Sequence, residues 1–190
     1  MPAHPGVEIK AAGIMEQMGD TFSSMFIAII VAIIIVFLIV MLMMRSIYNP
    51  LIIMVSLPLA FIGSVPALLV SGYTLGVSAL MGLLMLVGIV LTNAIVLVSM
   101  VEQLRKNDLS TQDALIEGGK TRLRPILMTA LTTILAMIPM AVSVSSGTML
   151  TAELAVVVIG GMVSSTFLTL FVIPAIYSLV HRRQKQPAIL

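Results

Sequence analysis

Five apolar blocks, each about as long as a bilayer is thick, constrain this chain more than any other feature. They run over residues 25–44, 51–70, 77–101, 126–144 and 154–180. A helix needs about 20 residues to cross a hydrocarbon core of roughly 30 Å. No water is available there, so a helix that satisfies its own backbone is the natural way across. Polar breaks separate the blocks: Arg45-Ser46-Ile47-Tyr48-Asn49-Pro50, then residues 71–76, 102–124 and 145–153. Pro50 and Pro125 stand where helices are expected to begin, a position at which a missing N–H costs nothing. Only 9% of the residues are charged, against about 25% in a soluble domain. The fold expected is all-α, a polytopic transmembrane helix bundle of five spans.

Basic residues orient it. Arg45 follows the first span; Arg105, Lys106, Lys120, Arg122 and Arg124 lie between the third and fourth; Arg182, Arg183 and Lys185 follow the fifth. If the spans alternate, nine of the ten Lys and Arg fall on one side, and Lys10, Glu8, Glu16, Asp20 and Glu153 on the other. The positive-inside rule then places the C-terminus, with a tail at 182–190, in the cytoplasm and the N-terminus outside the cytoplasmic membrane. Residues 1–24 show neither the basic n-region nor the cleavage site of a signal peptide. An odd span number with an untargeted outside start is expected of the C-terminal part of a longer polypeptide. Pro5-Gly6-Val7-Glu8-Ile9-Lys10 reads as the last strand or loop of an extracytoplasmic domain.

Between spans three and four, Ser110-Thr111-Gln112-Asp113 forms a capping box: the Ser110 hydroxyl takes the Asp113 amide and Asp113 reaches back. Gly118-Gly119 is expected to end that helix, about 110–118, in left-handed geometry. The result is a two-turn interfacial helix lying along the membrane surface.

Polar positions within the spans carry whatever chemistry the chain has. Asn93 falls 16 residues after Val77 in the third block, far from either end. Lipid cannot satisfy its two donors and its carbonyl, so it faces other helices. That leaves an interhelical hydrogen bond or a place on a transport path. Thr92 precedes it. Thr129, Thr132 and Thr133 share one face of the fourth span, and such hydroxyls bond back to their own helix cheaply. Arg122 lies two turns before Thr129. On its own it is a topology anchor; with Asn93 and Thr129 on neighbouring antiparallel helices it becomes a candidate site.

Gly160 and Gly161, followed by Ser164 and Ser165, make overlapping small-residue patterns for close helix contact. Pro58, Pro66, Pro139 and Pro174 interrupt three spans and suggest kinks. The 16 methionines are read as packing and lipid-facing residues. With no cysteine, thiolate metal sites and disulfides are excluded. His4 and His181 both lie outside the spans, the spans contain no aspartate, and phosphate-loop, zinc-protease and nucleophile-elbow patterns are missing. Neither a cofactor nor enzymatic chemistry is expected, and nothing points to nucleic acid.

These residues together resemble a known family. Gly88–Val98 around Thr92-Asn93, the string Arg122-Leu123-Arg124-Pro125-Ile126-Leu127-Met128-Thr129, Asn49-Pro50-Leu51-Ile52-Ile53, and Gly160-Gly161-Met162 with Val172-Ile173-Pro174 resemble the resistance–nodulation–division (RND) multidrug efflux permeases. Four motifs in order make the likeness specific, and with Pro5-Gly6-Val7 it covers nearly the whole chain. The resemblance implies helices eight to twelve of a twelve-helix protein, in the second half of its transmembrane repeat. Residues 1–24 would then be the end of a porter domain, and 25–181 the transmembrane domain.

By that resemblance the complete protein is a homotrimer in the cytoplasmic (inner) membrane. It exports drugs or other amphiphilic small molecules against protons that titrate an aspartate pair on the fourth helix. The N-terminal half, membrane lipid and protons are the implied partners. Arg122 and Thr129 match the helix-eleven arginine and threonine of the relay, and Asn93 matches an asparagine on helix ten. Thr92 stands where well-studied drug pumps carry a lysine, so charge compensation must differ or come from Arg122. Two other classes remain open: a structural or remnant membrane subunit that transports nothing, and a related protein- or lipid-export component.

Overall fold

All six elements of the computed structural model are helices: α1 Pro5–Met44, α2 Tyr48–Met54, α3 Ser56–Ser71, α4 Val77–Lys106, α5 Thr111–Val142 and α6 Met149–His181. The structure describes residues 5–44, 46, 48–107, 109–142 and 149–181. Five stretches are long and apolar enough to cross a membrane, with α2 and α3 together forming the second. Arg45 and the tail 182–190, which entered the orientation argument, lie outside the described residues.

α1 is helical from Pro5, so residues 5–10 form its first turns and not the strand or loop expected of them. Forty residues at 1.5 Å each make a rod of about 60 Å, roughly twice the hydrocarbon core. The second span breaks at Val55. Pro58 has no N–H to give the carbonyl of Met54, and α2 ends at that residue. α3 closes on Gly72, whose φ of 73° lets its N–H reach Leu69 and Leu68 carbonyls. Few residues other than glycine take that conformation without strain.

The separate surface helix is not formed. α5 runs unbroken from Thr111 through Gly118, Gly119 and Pro125 to Val142. Gly118 is buried, and a Cβ there would meet Val101 Cγ2 at 3.0 Å with Leu104 close behind. Glycine serves here to bring α5 against α4, not to end a helix. Half of the capping box is present: the Asp113 amide donates to Ser110 Oγ at 3.2 Å. The Asp113 carboxylate, however, accepts the Ser110 hydroxyl at 2.6 Å instead of a backbone amide.

α6 is the central post, packing against α3, α4 and α5. Its tightest seam faces α3. Gly63 and Gly160 lie so close that a Cβ on either would collide with Ser164 or Ala67, and Ser164 Oγ donates across to the Leu59 carbonyl at 3.0 Å. Gly161 sits under the Leu86 side chain of α4. α1 and α5 bury little of their length. Ile27, Ile34 and Leu42 on α1, and Leu131 and Leu135 on α5, point outward. The apolar interior divides into two clusters. One, toward the ends rich in Arg and Lys, includes Ile53, Leu91, Leu97, Ile126 and Tyr177; the other includes Leu80, Leu86, Val90, Val157 and Met162.

Candidate functional site

The seam between those two clusters is polar. Asn93 of α4, Ile126 of α5, and Ser165, Thr166 and Thr169 of α6 line a small cavity with Val90. Each contributing segment lies close to the midpoint of its helix, which places the cavity at half-depth of the bundle. Thr166 and Thr169 are 7% and 4% exposed, and neither hydroxyl has a hydrogen-bond partner among the described residues. Unpaired hydroxyls at that depth are expensive to leave. Polar residues in a membrane interior commonly mark a path or a binding place.

Asn93 and Thr92 part company. Asn93 turns into the cavity, whereas Thr92 is exposed on the far side of α4 and donates to the Gly88 carbonyl at 2.8 Å. Neighbours on a helix point about 100° apart, so the two cannot share one pocket. On α5, Arg122 lies one turn before Ile126 and Thr129 one turn after it. The Arg122 Nε is buried with no hydrogen-bond partner among the described residues. Thr129 is exposed and donates to the Ile126 carbonyl at 3.0 Å. Thr132 and Thr133 likewise bond back, to Met128 at 2.7 Å and Thr129 at 2.9 Å. The structure thus brings Asn93 to Ile126 of α5 and to Thr166 and Thr169 of α6, while Thr92 and Thr129 are exposed. The mid-span run Ser165-Thr166 with Thr169 one turn on was the available signal for the two α6 threonines.

A second polar group, unforeseen in the sequence, ties the basic end. Glu102 Oε2 accepts the Tyr177 hydroxyl at 2.8 Å and Asn49 Nδ2 at 3.4 Å. Arg105 Nη1 donates to the Tyr177 hydroxyl oxygen at 2.9 Å and lies 3.6 Å from the same carboxylate oxygen. Its guanidinium also sits 5.7 Å from the Tyr177 ring centroid, within cation–π range. One carboxylate therefore joins α2, α4 and α6. A groove of about 640 Å³ opens beside it, lined by Met43, Met44, Ser99, Glu102, Gln103 and Lys106.

At the opposite end Glu153 lies within α6, not in the preceding loop. Its Oε2 is buried without a partner among the described residues, pressed toward Gly76 at the start of α4. No cluster of three or more His, Cys, Asp or Glu suited to a metal ion occurs among the described residues.

Five membrane-length helical spans packed around buried polar groups define a polytopic membrane protein. The chain belongs to the AcrB/AcrD/AcrF family of RND permeases, whose sequence pattern matches residues 1–181. It is 43% identical over 187 residues to the swarming motility protein SwrC of Bacillus subtilis, covering 97% of this chain and 18% of that protein. To the cobalt-zinc-cadmium resistance protein CzcA of Cupriavidus metallidurans it is 36% identical over 173 residues, covering 91% of this chain and 16% of CzcA. A crystal structure of a heavy metal efflux pump superposes with a TM-score of 0.73 at 32% identity, over 80% of this chain and 15% of the pump. The chain thus spans less than a fifth of these relatives.

Proposed function

We propose that this chain supplies the helix-ten and helix-eleven side of the proton relay in an RND efflux transporter of the inner membrane. Family membership supports efflux as the activity. The observation that carries the relay reading is a set of buried polar groups with no partner among the described residues: the Arg122 Nε on α5, and the Thr166 and Thr169 hydroxyls of the cavity that Asn93 also lines. A buried guanidinium nitrogen without an acceptor calls for one from outside. The resemblance supplies it as the aspartate pair of the N-terminal half. In this reading the N-terminus is extracytoplasmic, the complete protein is a trimer, and Thr92 takes no part in the relay.

The cargo is recognised elsewhere in the transporter. The sequence resemblance points to amphiphilic drugs, while CzcA and the superposed pump bear names that point to metal ions. No cluster of three or more His, Cys, Asp or Glu for a metal ion occurs among the described residues.

The test is Arg122→Ala and Thr129→Ala in the complete transporter. Proton-dependent export should fall in both at unchanged membrane levels. Wild-type resistance in both would reduce these residues to a topology anchor and a packing residue.

A further inference from the structure

Thr166 and Thr169 break a habit that most of the described threonines inside helices keep. Thr92, Thr121, Thr129, Thr132 and Thr133 all bond back to a carbonyl of their own helix, as do Ser99 and Ser165. Such bonds are the cheap solution for a hydroxyl in a helix. Thr166 and Thr169 have the same option on α6 and do not take it. Both residues line the same cavity as Asn93.

We propose that Asn93, Ser165, Thr166 and Thr169 bind a single water molecule that bridges α4 and α6 at half-depth. Size decides the ligand. The cavity has about 10 Å³ for the centre of a water-sized sphere, at the lower end of the roughly 10–15 Å³ that a single water needs. An amphiphile, a hydrated cation or a chain of waters is too big. Chemistry agrees. A buried water typically needs two to four polar partners. The Asn93 amide offers two donors and an acceptor, and each threonine hydroxyl can donate or accept. Ser165 donates to the Met162 carbonyl at 3.3 Å and keeps its lone pairs for the water. No charged side chain lines the cavity, which favours a neutral dipole over an ion. The site stands on this geometry whether or not the chain works in efflux.

Water-edited solid-state NMR on the full chain in lipid nanodiscs tests it. Magnetisation from water should reach the Asn93 side-chain amide and the Thr166 and Thr169 methyls, but not the apolar side chains of Leu86 and Val157. Replacing Thr166→Val together with Thr169→Val should abolish the transfer to Asn93, and Thr166→Ser with Thr169→Ser should retain it. Absence of transfer to Asn93 in the wild-type chain overturns the proposal, as does unchanged transfer in the double valine variant. Should the double variant not fold, either single valine variant suffices, with weakened transfer supporting the site and unchanged transfer overturning it.

Discussion

The bundle holds two buried polar groups of opposite character. At its basic end, Glu102 gathers Asn49, Arg105 and Tyr177 within hydrogen-bonding or ion-pair distance. Tyr177 is wholly buried and Asn49 nearly so. Half-way along, Asn93, Thr166 and Thr169 meet around a cavity, and the two threonine hydroxyls have no partner among the described residues. The first group is largely satisfied by its own chain, and charge-assisted hydrogen bonds of that kind fix helices relative to one another. The second retains its bonding capacity at the depth where retaining it is most costly. A fold keeps such a group when something other than the chain's own stability uses it. The difference separates a clamp from a site.

The comparison breaks most visibly at Glu102. Glu102→Ala removes the carboxylate that accepts from the Tyr177 hydroxyl and the Asn49 amide and pairs with Arg105. Hydrogen bonds to charged groups are worth about 1.5–3 kcal/mol, and a stranded partner adds to that. Glu102 is partly exposed, so screening trims the sum to a loss on the order of 2–3 kcal/mol. Unfolding midpoints in mixed micelles should show it, and Glu102→Gln, which keeps an acceptor, should recover most of it. A change within error in the alanine variant would mean that the network is ornament and not a clamp.

Asn93→Leu carries a smaller structural effect. An interhelical polar contact in a membrane averages about 0.6 kcal/mol, so stability should move by less than about 1 kcal/mol, well short of Glu102→Ala. Export by the complete transporter should nevertheless collapse. If the leucine variant unfolds as readily as Glu102→Ala while transport per folded molecule is unchanged, Asn93 belongs with the clamp.

How far each region could be read in the sequence follows the same division. The five spans were legible because bilayer thickness forces an apolar length onto the chain. Helix ends were not, because local signals were spent on packing. Gly118 seats α5 against Val101 and Leu104, and Pro125 lies inside α5 without ending it. Pro58 made its mark at Val55, three residues before itself. Asn93 was legible as a polar group too deep for lipid. Thr92 was misjudged as its companion, although helical rotation alone separates them. Thr166 and Thr169 were passed over because a buried threonine ordinarily satisfies itself, and only coordinates reveal that these two do not. The clamp was illegible for a different reason: Asn49, Glu102 and Tyr177 are joined across separations of 53 and 75 residues, and no periodicity connects them.

The smallest stability effect is the most discriminating. Thr166→Val with Thr169→Val removes two hydroxyls and keeps the side-chain shape. In a saturated network such a change strands partners and costs about 1–3 kcal/mol for each. Here no described residue loses a direct bond, because neither hydroxyl makes one to the described residues. What goes is the water and two of the four polar groups that hold it; Asn93, which loses the water too, is only partly buried and is not left as a fully desolvated amide. The double variant should therefore unfold within about 0.5 kcal/mol of wild type, an ordinary figure for a change that breaks no feature of the fold. A loss as large as that of Glu102→Ala would show that Thr166 and Thr169 carry load between α4 and α6, and the contrast between clamp and site would fail at the residues that define it.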